Sequence, residues 1–235
     1  MNQANQANQA EQADRTVRGL IASDCRRYAG AATPSAVIRT WLTQWGFRYT
    51  CLLRRAQSHR RGIAHYWYRW RLLRMSRRAG YQIGYGAGIG AGLFIGHRGT
   101  VIVNGQARLG SNVNLAPGVV IGQENRGARR GVPVIGNRTW IGAGAVIVGA
   151  VHIGNDVLIA PNAFVNVDVP DHSIAIGNPA RIIHRDHATE GYCQHPVEPS
   201  DPDEVFTVRD GGVRSRDGNT RMRDGGARMR DGAVR

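Results

Sequence analysis

An aliphatic residue returns at every sixth position through much of residues 83–183, and nothing else in the chain restricts its fold so tightly. Ile83, Ile89, Ile95 and Val101 stand in one phase. Val103, Leu109, Leu115 and Ile121 stand in a second, and Ile135, Ile141, Ile147, Ile153, Ile159 and Val165 in a third. Glycine often follows, as in Ile83-Gly84, Ile89-Gly90, Ile135-Gly136 and Ile141-Gly142. A period of six is neither the 3.6 of an amphipathic helix nor the 2 of a half-buried strand. It is the spacing of a parallel β-helix built from hexapeptides. Three hexads close one triangular coil, the aliphatic side chain points into the prism, and Gly or Asn takes the tight corners. Each coil is stabilised mainly by its neighbours. The pattern therefore predicts a mostly β domain of four to five coils over residues 81–184.

The interruptions carry as much information as the repeat. A two-residue slip separates Val101 from Val103, just after His97. A larger one separates Ile121 from Ile135, and the interval from Gly122 to Val134 is polar, glycine-rich and holds Arg126, Arg129 and Arg130. It reads as a loop thrown out from a coil, and long loops in compact folds tend to carry function. Of the eight histidines, His97 alone lies within the coils beside a phase slip, which would expose its ring at an edge. Imidazole ordinarily titrates at about 6.5, which suits it to take a proton near neutral pH. His152 falls mid-pattern and reads as structural. The others have no spaced partners, so no metal site is expected.

The flanking segments differ in character. Residues 1–14 repeat an NQA triplet and read as a disordered leader. Residues 15–80 read as helical: Ser23-Asp24 can cap a helix, Gly30 to Pro34 marks a break, Ser35 to Gln44 forms a second helix, and a long segment follows Trp45-Gly46-Phe47. That segment holds ten arginines between Arg48 and Arg78 and no acid, with Tyr66, Trp67, Tyr68 and Trp70 interspersed. Such a mixture suits nucleic acid or an anionic membrane surface. It equally suits a solvated arginine face whose aromatics pack on the chain's own domain or a partner subunit, the preferred reading, since no nucleic-acid motif accompanies the charge. A weak association with anionic membrane is kept open, and no specific nucleic acid is expected. Residues 185–235 read as a disordered tail, ending in a heptamer repeat from Arg209.

Composition removes several function classes. All 31 basic residues are arginine, giving a net charge of +14, so lysine Schiff-base chemistry and a P-loop are excluded. Cys25, Cys51 and Cys193 offer neither a disulfide framework nor a CxxC zinc pair. No apolar run approaches membrane-spanning length, and the N-terminus lacks the pattern of a secretory signal, so a cytoplasmic location is expected.

Three motifs set within the hexads narrow the reading: IGHRGTVIVNGQARLG, the loop NRGARRGVP, and IGNPARII. Together with SDCRRYAG and WLTQWGFRYTCLLR in the helical part, they resemble the serine O-acetyltransferases, nearest to a short branch associated with polysaccharide biosynthesis, over roughly residues 18–184. The resemblance implies a left-handed β-helix assembled as a homotrimer, with acetyl-CoA in a groove between subunits and no metal. It implies that His97 is the general base acting on an acceptor hydroxyl, with a backbone N–H stabilising the oxyanion. Gly122, Ala143 and Pro161 align with small residues along the coenzyme A groove, and Arg181 with a cation near its phosphates. The departures concern the acceptor. Family members that use serine carry an aspartate directly before the histidine and another fifteen residues earlier; Gly96 and Gln82 stand there. Gly131-Val132 replace an Arg-His pair before Pro133. Glu124, in the extruded loop, is a substitute for the missing carboxylate, and Arg126 with its neighbours suits a diphosphate-bearing acceptor. A sugar hydroxyl of a polysaccharide intermediate therefore fits better than free serine. The alternative is a β-helix that has lost activity and serves as a scaffold or regulatory subunit.

Overall fold

The computed structural model describes residues 3–59 and 61–198, with side chains from Thr16 onward. Four helices come first: α1 (Gln3–Ala29), α2 (Pro34–Thr43), α3 (Trp45–Ser58) and α4 (Gly62–Ala79). Helix α1 runs through the triplet segment expected to be a disordered leader, so helix begins at Gln3 rather than near residue 15. That stretch has no glycine or proline before Gly19, and Ala and Gln are good helix formers. Ser23 and Asp24 consequently lie inside α1 instead of capping it. The expected break is present at Gly30–Thr33, where the Thr33 hydroxyl accepts from the Ala36 N–H at 3.3 Å and starts α2. The long arginine-rich segment contains two helices, because the chain is non-helical at His59 and Arg61.

Five coils follow. β1 (Tyr81–Ile83), β2 (Gly88–Ile89) and β3 (Phe94–Ile95) form the first, and β4 (Val101–Val103), β5 (Arg108–Leu109) and β6 (Asn114–Leu115) the second. β7 (Val120–Gly122), β8 (Val134–Ile135) and β9 (Trp140–Ile141) form the third, and β10 (Val146–Val148), β11 (His152–Ile153) and β12 (Val157–Ile159) the fourth. β13 (Phe164–Val165) and β14 (Ser173–Ile176) build the last coil, and β15 (Arg181–His184) turns back antiparallel on β14. Stacking gives three parallel sheets: β1-β4-β7-β10-β13, then β2-β5-β8-β11, then β3-β6-β9-β12-β14. The architecture is the left-handed parallel β-helix that the hexads imply.

Register locates the two interruptions. Ile102 pairs with Val120, and Val146 with Phe164, an eighteen-residue coil in each case. Tyr81 pairs with Val101, twenty residues on, so the first coil holds two residues more than the regular one. Val120 pairs with Val146, twenty-six residues on, which places eight more in the extruded loop. The hexad aliphatics from Ile83 to Val165 are all buried. A second inward residue sits two positions earlier in the strands, among them Leu93, Val101, Val113 and Val157, following the two-residue alternation of a strand.

The helices cover the first coil. Tyr49 and Leu53 of α3, with Leu72, Met75 and Ala79 of α4, join the same apolar cluster as the prism interior. At Gly46 the helix touches the sheet so closely that a Cβ would lie 2.0 Å from the Ile95 carbonyl oxygen. A buried ion pair fixes the arrangement. Both carboxylate oxygens of Asp24 accept from Arg54 at 3.1 Å. The same guanidinium donates to the carbonyls of Ile89 and Gly90, and Asp24 also accepts from the Leu93 N–H at 2.9 Å. One pair thus ties α1 and α3 to the first coil.

The expected tail begins differently from the reading. Residues 185–198 pack along the outer face of the third sheet; the heptamer repeat lies outside the described residues. Tyr192 covers Trp140, with ring centres 4.9 Å apart. The Asn112 amide exchanges two hydrogen bonds with the Val197 backbone, and buried Arg27 reaches the carbonyls of Gly92 and Gln194. Asp156 is the anchor. It accepts from the Thr189 hydroxyl at 2.5 Å, from the Ala188 and Thr189 N–H groups, and bonds the His172 imidazole at 2.9 Å. The hexad pattern stops before this segment, so only side-chain pairing reveals that it belongs to the domain. Among the described residues no helix is long and apolar enough to cross a membrane.

Two outcomes follow. Asp24→Ala leaves a buried guanidinium unpaired and should lower unfolding free energy by about 3–5 kcal/mol, read from the urea midpoint. Burial pushes the Asp156 carboxyl up, but the Thr189 hydroxyl, His172, the Thr189 N–H and Arg138 outweigh it and hold it at about 2, below the usual 3.8. A carboxyl lowered in the folded state stabilises above its unfolded value and loses that contribution as pH falls toward the folded one. Denaturation at a series of pH values should show the chain losing about 2 kcal/mol between about pH 4 and pH 2 that Asp156→Asn does not lose, with residues 185–198 becoming protease-sensitive.

Candidate functional site

The corners joining the third sheet to the first stack into one edge of the prism. Their backbones are bonded in series: Gly118 N–H donates to the Thr100 carbonyl, Gly144 N–H to Pro117, and Asn162 N–H to Ala143, at 2.6–2.9 Å. The first of these corners contains His97, the third Ala143 and the fourth Pro161. At the fifth, β14 ends and the chain returns through Ala180, whose N–H donates to the Phe164 carbonyl at 2.9 Å, into Arg181, which pairs with Ile176. Four of the residues singled out by the sequence therefore lie along one edge, and all four are solvent-exposed. With strands about 4.8 Å apart, His97 and Pro161 are separated by roughly 15 Å of edge, a track for an extended ligand. Ala143 is small and Pro161 compact, so the track has room where a larger corner residue would fill it.

The two extra residues of the first coil fall in the His97 corner, at Gly96–Thr100, because Ile83 stacks on Val103 while Ile95 keeps the hexad phase. The excess lifts the corner outward and leaves His97 exposed. Among the described residues its imidazole makes no hydrogen bond, so the ring is free to meet a ligand. The backbone below it is held firmly. The Tyr81 hydroxyl donates to the His97 carbonyl at 3.0 Å. Burial pushes the Tyr81 phenol up to about 12, against the pull of Arg98, so it remains a donor. Arg98 stacks 4.4 Å from the centre of the Trp45 ring and donates to the Arg78 carbonyl at 3.1 Å. Gly99 adopts φ 143°, a conformation reserved for glycine, and donates its N–H to the Ala79 carbonyl at 3.1 Å. The helices thus position the histidine corner. Tyr81, Arg98 and Trp45 escaped the sequence reading because they act through contacts with distant segments. A tyrosine at the first inward position of β1, where the repeat is otherwise aliphatic, was the one visible sign.

The remaining candidates lie elsewhere. Gln82 is exposed on the outer face of β1, opposite Ile102, and among the described residues its amide makes no hydrogen bond. Gly122 ends β7 at the opposite edge of the first sheet, where the extruded loop leaves. The loop folds back on itself through paired bonds between Glu124 and Gly131, both 2.9 Å, and rests on the following corner through Ala150 N–H to the Arg129 carbonyl. Glu124 does not act as the expected carboxylate for His97 within one chain. Its Oε1 accepts from the Asn125 and Arg126 N–H groups at 3.0 and 3.2 Å, and the loop springs from the far edge of the sheet. Arg126 and Arg130 are exposed on the loop, and Arg129 lies 3.8 Å from Asp168. One chain consequently sets the candidate residues on two edges, a histidine edge and a loop edge, separated by the width of a sheet. Among the described residues no three His, Cys, Asp or Glu side chains converge where a metal ion would sit.

Comparison with known proteins bears on the fold and the family. The family model described as bacterial transferase hexapeptide (six repeats) matches residues 133–166. A serine acetyltransferase of Helicobacter pylori is 39% identical over 107 residues, 46% of this chain and 63% of the relative, so the match spans less than two thirds of that protein. The soybean serine acetyltransferase apoenzyme superposes with a TM-score of 0.63 at 30% identity, covering 74% of this chain and 72% of the soybean chain. The serine acetyltransferase of Brucella abortus strain S19 in complex with coenzyme A superposes with a TM-score of 0.64 at 25% identity, covering 76% and 72%.

The tether beneath the histidine is separable from the fold. Tyr81→Phe removes one hydrogen bond, and its expected cost is about 1 kcal/mol of stability. Amide hydrogen exchange should quicken at Arg98–Thr100 while the interior coils keep their protection.

Proposed function

The chain belongs to the serine acetyltransferase family, and on that premise we propose that it is a cytoplasmic O-acetyltransferase that moves acetyl from acetyl-CoA to an acceptor hydroxyl. The observation carrying this reading is the exposed His97 at the head of an open edge that continues through Ala143 and Pro161 to Arg181. A thin, extended arm suits that edge, and a guanidinium at its end suits phosphate by paired hydrogen bonds. Bound acetyl-CoA supplies the activated acetyl carbonyl and a thiol leaving group.

His97 accepts the proton of the acceptor hydroxyl as its oxygen attacks the carbonyl. A backbone N–H of the edge steadies the charge that develops on the carbonyl oxygen. The C–O bond forms, the C–S bond breaks, and the imidazolium returns its proton to the departing sulfur. The products are an acetyl ester and free coenzyme A, with no redox change.

A single chain sets His97 and the loop on opposite edges of the first sheet. We therefore assign the working unit to a homotrimer in which the loop of one copy, with Gly122 and Arg126, faces the histidine edge of the next. The acceptor is a sugar hydroxyl of a polysaccharide intermediate in preference to serine. Gly96 and Gly131-Val132 offer no charge to grip the ends of an amino acid, and the loop arginines suit a diphosphate-bearing carrier. The competing reading, an inactive scaffold or regulatory subunit, draws on Gln82 and Gly96 standing where the family resemblance places carboxylates.

Release of coenzyme A thiol from acetyl-CoA, measured with L-serine and with a panel of nucleotide- and lipid-linked sugars, tests the assignment. Turnover should require a sugar acceptor and fall roughly 10²–10⁴-fold in His97→Ala. Serine-dependent release would refute the sugar assignment. Silence with every acceptor would favour the scaffold.

A further inference from the structure

Helix α4 has two apolar faces, and the described residues cover only one. Leu72, Met75 and Ala79 point into the cluster above the first coil. On the opposite side Ile63, Tyr66, Trp67, Trp70 and Leu73 follow at helical spacing, and all are exposed, Ile63 at 90% and both tryptophans at 49%. Of the two ways the sequence reading could place these aromatics, against the chain's own domain or against a partner subunit, the first holds only for Tyr68 among the described residues. Arginines flank the outer stripe. Arg71 stacks over Trp67 at 5.6 Å and Arg74 over Trp70 at 5.1 Å. A shallow groove of about 400 Å³ lies between the two tryptophans and Leu52, rimmed by Arg71, Arg74 and Arg78.

We propose that this outer face of α4 is a docking surface for anionic phospholipid membrane, with the tryptophans entering the headgroup boundary and the arginines holding lipid phosphate. Charge selects the occupant. A second copy applied through the same face would set Arg71, Arg74, Arg77 and Arg78 against the same four, and the helix contains no acid to relieve them. An anionic partner is required, and the centre of the stripe decides its class. Ile63 and Leu73 are aliphatic and have no stacking role on nucleic acid, whereas burial about 5–10 Å into a membrane boundary rewards them and the indoles alike. Guanidinium groups over indole rings keep their charge at the rim while the apolar body sinks. The proposal uses the outer face of α4 and not His97, so the acetyltransfer reading and the docking surface stand or fall separately.

Cosedimentation with vesicles of phosphatidylcholine alone, and of phosphatidylcholine mixed with phosphatidylglycerol, tests the proposal on the full chain. Binding should need phosphatidylglycerol, shift tryptophan emission to the blue, and weaken at least about tenfold in both Trp67→Ala/Trp70→Ala and Arg71→Glu/Arg74→Glu. Quenching of the unmodified chain by brominated lipid provides the same reading without any substitution. Equal binding to phosphatidylcholine, or no binding to either vesicle, overturns the proposal. So does binding that survives loss of the tryptophans and disappears in moderate salt, which marks simple electrostatic adsorption. Equally tight binding to duplex DNA with the same tryptophan dependence assigns the face to nucleic acid instead. A smaller assembly in sedimentation equilibrium for the tryptophan variant assigns it to contact between copies.

Discussion

In a stack of triangular coils, each inner strand is bonded to the one above and the one below, and its inward side chains rest on theirs. That mutual constraint governs this molecule. An extra residue has no place within a strand, because it would turn the whole aliphatic set outward. It must leave at a corner. The two surplus residues of the first coil therefore emerge at Gly96–Thr100 and raise His97. The eight surplus residues of the third emerge beyond Gly122 as a loop closed by Glu124 and Gly131. Both departures from the repeat are what a rigid stack does with chain it cannot absorb.

The helical part serves this stack in two ways. It covers the open coil, and it fixes the histidine corner from beneath. The Asp24–Arg54 pair is the costly element of that union, since both charges leave water. Its remaining hydrogen-bonding capacity is spent on the Ile89, Gly90 and Leu93 backbone, which makes the pair specific to one docking of α1 and α3. At the other end of the fold, Asp156 does similar work for the returning segment 185–198 through neutral and charged donors together.

The split between a histidine edge and a loop edge explains why assembly and catalysis are joined in the proposed mechanism. Neither edge of one prism holds all the candidate groups, and the proposed trimer is the arrangement that would bring unlike edges together. The exposed tryptophan–arginine face of α4 has a different logic. It faces away from the stack, its charge is of one sign, and among the described residues it is left uncovered.

The coils, their approximate number and the buried identity of Ile83, Leu109, Ile141 and their counterparts were legible in the sequence because a six-residue period has few physical solutions. The exposed place of His97 was legible for the same reason, since it stands beside a break in that period. The sequence alone did not disclose that residues 185–198 belong to the domain, that Tyr81 and Arg98 hold the histidine corner, or that Glu124 spends its carboxylate on its own loop. Nor did it disclose which side of α4 carries the tryptophans. These depend on contacts between segments far apart in the chain, formed by single side chains with no period to announce them. Local repetition determined the stack; the positions of the isolated polar and aromatic groups were decided only when the stack brought distant segments within hydrogen-bonding reach.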